Sequence, residues 1–328
     1  MRKFRPCLPL VVFFCIGCTA ASTAMGVKWA WKQNRNVQRT IPHKLPSIQR
    51  GGQEYIALKS VLAPLGANFS SPDARSLKIC MGPAVVDFTQ DGTYFLYNGC
   101  KIFLNAPFFW EKQQLYITKN DFVSKIEPLL HPQRIASAIP SLKTIVLDAG
   151  HGGNDAGTSA RGISEKVWTL DVVKHVKERL EQLNYRVVLT RDQDRYVSLL
   201  HRVEKAREVK ANIFVSIHFN ACKNSNASGC EIFVPFTGIF SPWNIILAYD
   251  ISSNIKKLSS DFRGIKLGNF YVLRRTGSLC SSILIEVGFM TNGRDFSYYV
   301  DPSNRKKFAD AVADGIQRYE ANLKRIRH

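Results

Sequence analysis

The stretch Thr144-Ile-Val-Leu-Asp-Ala-Gly-His151-Gly-Gly153 decides how this chain is read. An apolar run of strand character ends in a histidine set among glycines. Asn212-Ile-Phe-Val-Ser-Ile-His218 repeats the arrangement, and Ile283-Leu-Ile-Glu286-Val-Gly-Phe289 places a carboxylate inside a third apolar run. Glu165 opens a helical pattern shortly after the first histidine. Two imidazoles and one carboxylate are a well-attested catalytic zinc set, because three protein ligands leave a fourth position for water. A second glutamate is then free to move protons. The expected chemistry is metal-assisted hydrolysis.

Each residue has a blander explanation. A lone histidine after a strand is more often structural, but the glycines around His151 free the backbone to turn its ring into a cleft. His218 sits at a polar break after an apolar strand. Glu165 follows Ser164, so an N-capped first-turn glutamate explains it equally well on local grounds. Glu286 is flanked by Ile283, Leu284, Ile285, Val287 and Phe289, and a carboxylate there must be paired or functional. His43, His131, His175, His201 and His328 lack the strand-end setting.

Around these residues the chain alternates strand and helix. Strands are expected at 144–149, 186–190, 212–217, 229–234, 270–273 and 282–287. Val172, Val176, Leu180 and Leu183 share one helical face, and Phe308, Val312, Ile316, Tyr319 and Leu323 share another. The expected class is α/β, a mostly parallel sheet with helices on both faces. Ligands in such folds gather at the carboxyl ends of strands, where His151 and His218 fall. Residues 49–130 read differently. Short alternating runs are separated by turn signals such as Asn98-Gly99 and bracketed by helical pieces at Leu58–Leu65 and Lys119–Leu130. This is a small α+β domain with no His/Asp/Glu cluster, a spacer or a binding module. The polar segment 25–48 reads as a tether, 131–143 as a linker, and 144–328 as the catalytic domain.

Residues 1–24 have the pattern of an export signal: a basic start, the apolar run Leu8 to Gly17, then small residues. Ile16-Gly17-Cys18 also resembles the end of a lipobox, so cleavage, lipidation at Cys18 and retention as an anchor stay open. The expected location is the periplasm or cell envelope. The formal charge is +19, and +16 without Arg2, Lys3 and Arg5. Such a balance favours polyanions, anionic membrane surfaces or acidic envelope polymers. No aromatic RNA-binding signature or finger spacing accompanies it, so nucleic acid is not an expected partner. Beyond the signal lie Cys80, Cys100, Cys222, Cys230 and Cys280, an odd number. Cys80 with Cys100, and Cys222 with Cys230, are close enough in sequence to pair, though small buried residues explain them as well.

Taken in order, Leu147-Asp-Ala-Gly-His-Gly-Gly-Asn-Asp-Ala-Gly157, Gly162-Ile-Ser-Glu165-Lys166, Leu189-Thr-Arg-Asp192, Ser216-Ile-His-Phe-Asn-Ala221, Gly229-Cys-Glu-Ile-Phe233, Arg263-Gly-Ile-Lys266, Val272-Leu-Arg274 and Glu286-Val-Gly-Phe-Met-Thr-Asn292 resemble the zinc-dependent N-acetylmuramoyl-L-alanine amidases over about 144–322. The resemblance implies zinc on His151, Glu165 and His218, with Glu286 catalytic. It implies a peptidoglycan substrate cut at the amide between muramic acid and L-Ala, in cell-wall remodelling or division. Ser281-Ser282 departs from the family, which often has Pro before this strand. Tyr55-Ile-Ala-Leu-Lys-Ser-Val-Leu-Ala-Pro-Leu-Gly-Ala67, with Leu104-Asn-Ala-Pro107, resembles the stalk-type N-terminal domain of copper amine oxidases. Some relatives carry an occluding helix after the second histidine, released by a partner. Here the connection from Pro235 to the helix near Trp243 is too short to hold one. No obligatory activator is expected, and a 144–328 fragment should be open and competent.

Two other readings compete. Ser253-Asn-Ile-Lys256 fits the S-x-x-K of penicillin-binding serine carboxypeptidases, with Arg275-Thr-Gly277 a weak echo of K-T-G. A non-catalytic peptidoglycan-binding envelope protein is the other.

Overall fold

A computed structural model describes residues 47–327, apart from 74, 90–91, 136–141, 237, 239–240 and 259–260. All of these lie in one compact unit, Arg35–His328. The expected export signal, with Cys18, and most of the tether lie outside the described residues.

The N-terminal module begins with the strands β1 (Ser47–Arg50) and β2 (Gln53–Ala57), then helix α1 (Leu58–Leu62). β1 takes in the end of the expected tether. Its remaining strands are β3 (Asn68–Ser70), β4 (Leu77–Met81), β5 (Ala84–Phe88), β6 (Tyr94–Tyr97), β7 (Cys100–Phe103), β8 (Phe109–Glu111) and β9 (Gln114–Thr118). Burial alternates along them, as in Ala84–Phe88, so each strand has one core face. A helical stretch follows: α2 (Lys119–Asp121), a π turn at Phe122–Ile126, and α3 (Glu127–Leu130). It starts at the expected residue because the Thr118 hydroxyl accepts the Asp121 N–H as an N-cap.

The C-terminal part of the chain is built on β10 (Thr144–Ala149), the two-residue pair β11 (Ser159–Ala160) and β12 (Ile163–Ser164), β13 (Arg186–Leu189), β14 (Ile213–Asn220), β15 (Cys230–Pro235), β16 (Phe262–Gly268) and β17 (Ser281–Phe289). Its helices are α4 (Glu165–Gln182), α5 (Leu199–Glu208), α6 (Ser241–Leu258), α7 (Tyr271–Thr276), α8 (Gly293–Tyr299) and α9 (Pro302–Arg327). Strands β10, β14 and β17 are buried on both faces, which explains their unbroken apolar runs. α5 and α7 cover one side through Val203, Ala206, Val272 and Leu273, which pack with Val146, Phe214 and Leu284.

The sheet is mixed, in the order β13-β10-β14-β17-β15-β16-β7-β6-β5-β4-β3. The pairs β13/β10, β10/β14, β14/β17 and β15/β16 are parallel, whereas β15/β17 is antiparallel. The N-terminal module joins this sheet: β7 pairs with β16 through Ile102 and Ile265. Around that junction Tyr97 and Tyr249 meet edge to face at 4.7 Å, Asn98 donates to the Tyr249 hydroxyl, and Lys256 donates to the Gly99 carbonyl.

One expectation is corrected. The strand expected at 270–273 is a helix, Tyr271–Thr276, which buries Val272, Leu273 and Thr276 on one side; the β-rich composition of Tyr-Val-Leu misled. The strand of this region is β16, whose pattern is masked by half-exposed arginine and lysine. Neither of the cysteine pairings that sequence spacing left open is formed, since all five described cysteines are free. Cys80 and Cys100 stand on β4 and β7, three strand steps apart, about 14 Å and far beyond disulfide reach.

Candidate metal centre

Strand β10 positions the first candidate ligand. It ends at Gly150, and His151 follows with φ 62°, a left-handed conformation uncommon outside glycine. Two buried arginines hold three successive carbonyls of this turn. Ala149 O accepts from Arg191 Nε (3.1 Å) and Arg202 Nη1 (2.6 Å). Gly150 O accepts from Arg191 Nη2 (2.8 Å), and His151 O from Arg202 Nη2 (2.8 Å). Arg202 is neutralised by the buried Asp148, 2.6 Å away, which also accepts the hydroxyls of Thr190 and Ser216. Burial would raise the Asp148 pKa, but the Arg202 charge and these donors hold it below its ordinary value.

Gly150 must be glycine, because a Cβ there would lie 2.3 Å from the His218 ring. Gly157 is in the same position, with a Cβ 2.6 Å from both His151 and Glu165 and φ at +65°. Glu165 is the first residue of α4 and is only 3% exposed. Ser164 precedes it without a side-chain cap bond, so the expected N-cap is not made.

These elements bring His151, Glu165 and His218 together. Glu165 Oε1 lies 3.1 Å from both His151 Nε2 and His218 Nδ1, and the three ligand atoms lie within 4.8 Å of one another. The imidazoles stand nearly perpendicular, 4.9 Å apart. Two ligands about 2.1 Å from a tetrahedral ion sit roughly 3.4 Å apart, so the set fits zinc. His151 Nδ1 donates to Asp155 Oδ1 at 2.8 Å, which leaves Nε2 as the lone-pair nitrogen facing the cluster. The Glu165 carboxylate is fixed by N–H donors from Phe219 and Thr158. Burial opposes its ionisation, but the two histidines hold it well below the usual range.

Glu286 stands beside His218 in the parallel register of β14 and β17. Its Oε2 is buried without a hydrogen-bond partner. Burial pushes the group up to about 7. It lines a cleft together with His151 and His218, and Tyr196, Leu199, Phe270 and Tyr271 also line it. The arrangement can bind a divalent ion and exchange a proton beside it.

Residues 145–318 match the family described as N-acetylmuramoyl-L-alanine amidase. The chain belongs to that family and is an enzyme of that class. It is 38% identical over 179 residues to the uncharacterized protein YqiI of Bacillus subtilis, covering 54% of this chain and 84% of the relative. It is 36% identical over 181 residues to the probable cell wall amidase LytH of Staphylococcus epidermidis, again over 54% of this chain but only 58% of the relative. Among solved structures, the catalytic domain of the amidase CwlV from Bacillus (Paenibacillus) polymyxa var. colistinus aligns with a TM-score of 0.51 and 32% identity, over 55% of this chain and 99% of that one.

The other sequence candidates are elsewhere in this amidase. His175 lies 3.7 Å from Asp171 and from Glu178 on α4, and His201 is exposed on α5. The Ser253 hydroxyl donates to Tyr249 O, while Lys256 is engaged by Gly99 O, so the S-x-x-K pair forms no nucleophile–base couple. Sequence reading missed Arg191 and Arg202. The only signal was Arg191 immediately after a strand in Leu189-Thr-Arg-Asp192.

Proposed function

We propose that this chain hydrolyses the amide between N-acetylmuramic acid and L-alanine in peptidoglycan, with zinc held by His151, Glu165 and His218 and with Glu286 as the proton-transfer group. One observation carries the reading: three ligand atoms converge beside a carboxylate whose buried oxygen has no partner. The bound ion supplies Lewis acidity, polarising the scissile carbonyl and acidifying a water. Glu286 accepts the proton of the attacking water and returns it to the departing nitrogen of L-Ala. An amide nitrogen leaves poorly unless protonated, so one carboxylate serves both steps. Burial raises its affinity for a proton, as a group that must hold one between the two steps requires. Asp155 keeps the His151 ring in the required tautomer.

The same reading places the protein outside the cytoplasm, delivered by residues 1–24, where it acts in wall remodelling or division. Similarity to a probable cell wall amidase supports this. No described helix is long and apolar enough to cross a membrane. The module 49–130 is taken as stalk-like. No obligatory activator is proposed, because only residues 236–240 connect β15 to α6. The test is metal removal from the full chain. Chelation should abolish release of stem peptides bearing a free L-Ala amine, detected by mass, and zinc should restore it. Release that survives chelation with no zinc left would overturn the reading.

A further inference from the structure

The sheet face that carries Glu286 is covered by α7 at Leu284 and by Phe270 at Phe233, and beyond Glu231 it continues onto the N-terminal module with half-buried side chains. Residues directly opposite in register project to the same side of a sheet. Glu231 on β15 is opposite Glu286, and Phe233 is opposite both Leu284 and, across β16, Lys266. Ile265 and Ile102 share the other side, so Lys266, Lys101 and Phe103 share this one. Lys101 is opposite Leu96, and Phe103 is opposite Tyr94. Burial agrees. Tyr94, Leu96, Lys101, Phe103 and Lys266 are half-buried, while Phe95, Cys100, Ile102 and Ile265 between them are buried.

Cations and aromatic rings alternate along this face. Glu231 is paired with both Arg263 (2.9 Å) and Lys266 (2.5 Å), leaving one positive charge in surplus. The Lys101 ammonium lies 4.3 Å over the Tyr94 ring and 5.9 Å from that of Phe103, with no salt bridge found among the described residues. Lys266 lies 5.6 Å over Phe103. Asp87, further out on β5, is matched by Lys78 at 4.0 Å. Both rings therefore have cations on their faces, which suits a carboxylate-bearing chain better than flat stacking of an uncharged sugar. From β17 to β6 is four strand steps, about 19 Å. Five or six residues of extended peptide span that length.

We propose that this face docks the peptide stem of the substrate, so that the stem leaves the cleft past Glu286 and meets Arg263, Lys266 and Lys101 with its free carboxylates. The proposal rests on the amidase reading. It makes the N-terminal module part of the substrate site, and the enzyme selects for long, acidic stems.

The experiment compares kcat/KM of the zinc-loaded full chain on a muramoyl-pentapeptide and on a muramoyl-dipeptide too short to reach β7. Lys101→Glu should lower the pentapeptide-to-dipeptide ratio about tenfold, mainly through KM. Tyr94→Ala, which removes the platform under Lys101, should lower it several-fold. Lys177→Glu, on α4 and paired with Glu181 at 2.8 Å, makes the same change in net charge elsewhere and should leave the ratio within twofold. Melting curves verify that each variant is folded. The docking idea fails if folded Lys101→Glu keeps the wild-type ratio, or if Lys177→Glu lowers it equally. It fails too if Lys101→Glu weakens binding of stem-free glycan strands as much as binding of stems. If the wild-type chain cleaves neither substrate, it is the amidase reading that falls.

Discussion

Removing the Arg202 guanidinium should destabilise the protein and loosen the metal site together. Arg202 is 3% exposed and makes four hydrogen bonds: to Val197 O at 3.1 Å, Asp148 Oδ1 at 2.6 Å, Ala149 O at 2.6 Å and His151 O at 2.8 Å. Arg202→Met fills most of the volume but leaves Asp148 charged, buried and without its cation. Breaking a buried pair from one side costs about 3–5 kcal/mol. In a domain of this size that lowers the melting temperature by roughly 10 °C. Ala149 O keeps Arg191, but His151 O loses its donor, so the left-handed turn that aims the ligand is less restrained. Loss of such supporting contacts typically weakens metal affinity about 10- to 100-fold. A double-mutant cycle separates the two causes. Adding Asp148→Asn to Arg202→Met removes the orphaned charge while an amide oxygen still accepts from Thr190 and Ser216. The double variant should recover at least about 1.5 kcal/mol of the loss in urea unfolding. It should recover little zinc affinity, because the His151 carbonyl stays unheld. If Arg202→Met melts within about 2 °C of wild type, or the two substitutions simply add, the buried pair is not what holds the turn.

Ligand and base should separate experimentally. His151→Ala or His218→Ala lowers both zinc content and turnover, whereas Glu286→Gln abolishes turnover with zinc retained, as metal analysis beside activity on muropeptides would reveal. His131 is 8% exposed with Nε2 unpartnered, and burial, then the neighbouring Arg134 charge, lowers its pKa to about 4. Its folded pKa lies below the unfolded value near 6.5, so stability is intact above that pH and declines as pH falls towards 4, by on the order of 3 kcal/mol. His131→Phe should flatten this limb of the stability–pH curve, and an unchanged curve would exclude His131 as its source. The excised fragment 144–328 should be less stable and more prone to association than the full chain, by melting and light scattering, because excision bares the β16 edge and the Tyr249 side of α6. Equal stability of fragment and full chain would contradict the junction described above.

The residues of the candidate metal site could be singled out because each stands where a local pattern breaks. His151 and His218 end apolar strands, and Glu286 puts a charge where burial forbids an idle one. The helix from Glu165 and the α/β alternation were readable from period alone. Arg191 and Arg202 were not. Arg202 sits in Leu-Leu-His-Arg-Val-Glu-Lys-Ala-Arg-Glu, a segment that reads as a solvated helix, and nothing local reveals that this one guanidinium reaches back to β10. Its importance comes from the carbonyls it meets, and carbonyls leave no mark in a sequence. The misread strand at 270–273 has the complementary cause, since β-branched and aromatic residues suit the buried side of a short helix as well as a strand.

The joining of the two halves was hidden for a further reason. β7 and β16 meet at a single register pair, Ile102 with Ile265, about 160 residues apart in sequence, so neither strand carries a hairpin signal naming the other. What each does show is alternation between a buried and a half-buried face, and that pattern is satisfied by many pairings. Reading 49–130 as a spacer or a binding module followed naturally, because a module without catalytic residues looks separable. The structure ties it in by more than one hydrogen-bonded register. Tyr97 packs on Tyr249, Cys100 Sγ lies 3.5 Å from Ser252 Oγ, and Lys256 reaches Gly99. Without β7, β16 would become an edge with unpaired N–H and C=O groups, a liability that covering strands remove. The module therefore does structural work even if it binds nothing, and its open face lies in the same sheet as Glu286. Those two roles are distinguishable. Covering the edge depends on Ile102 and the backbone of β7, whereas contact with a substrate chain depends on Lys101 and Tyr94, which point the other way.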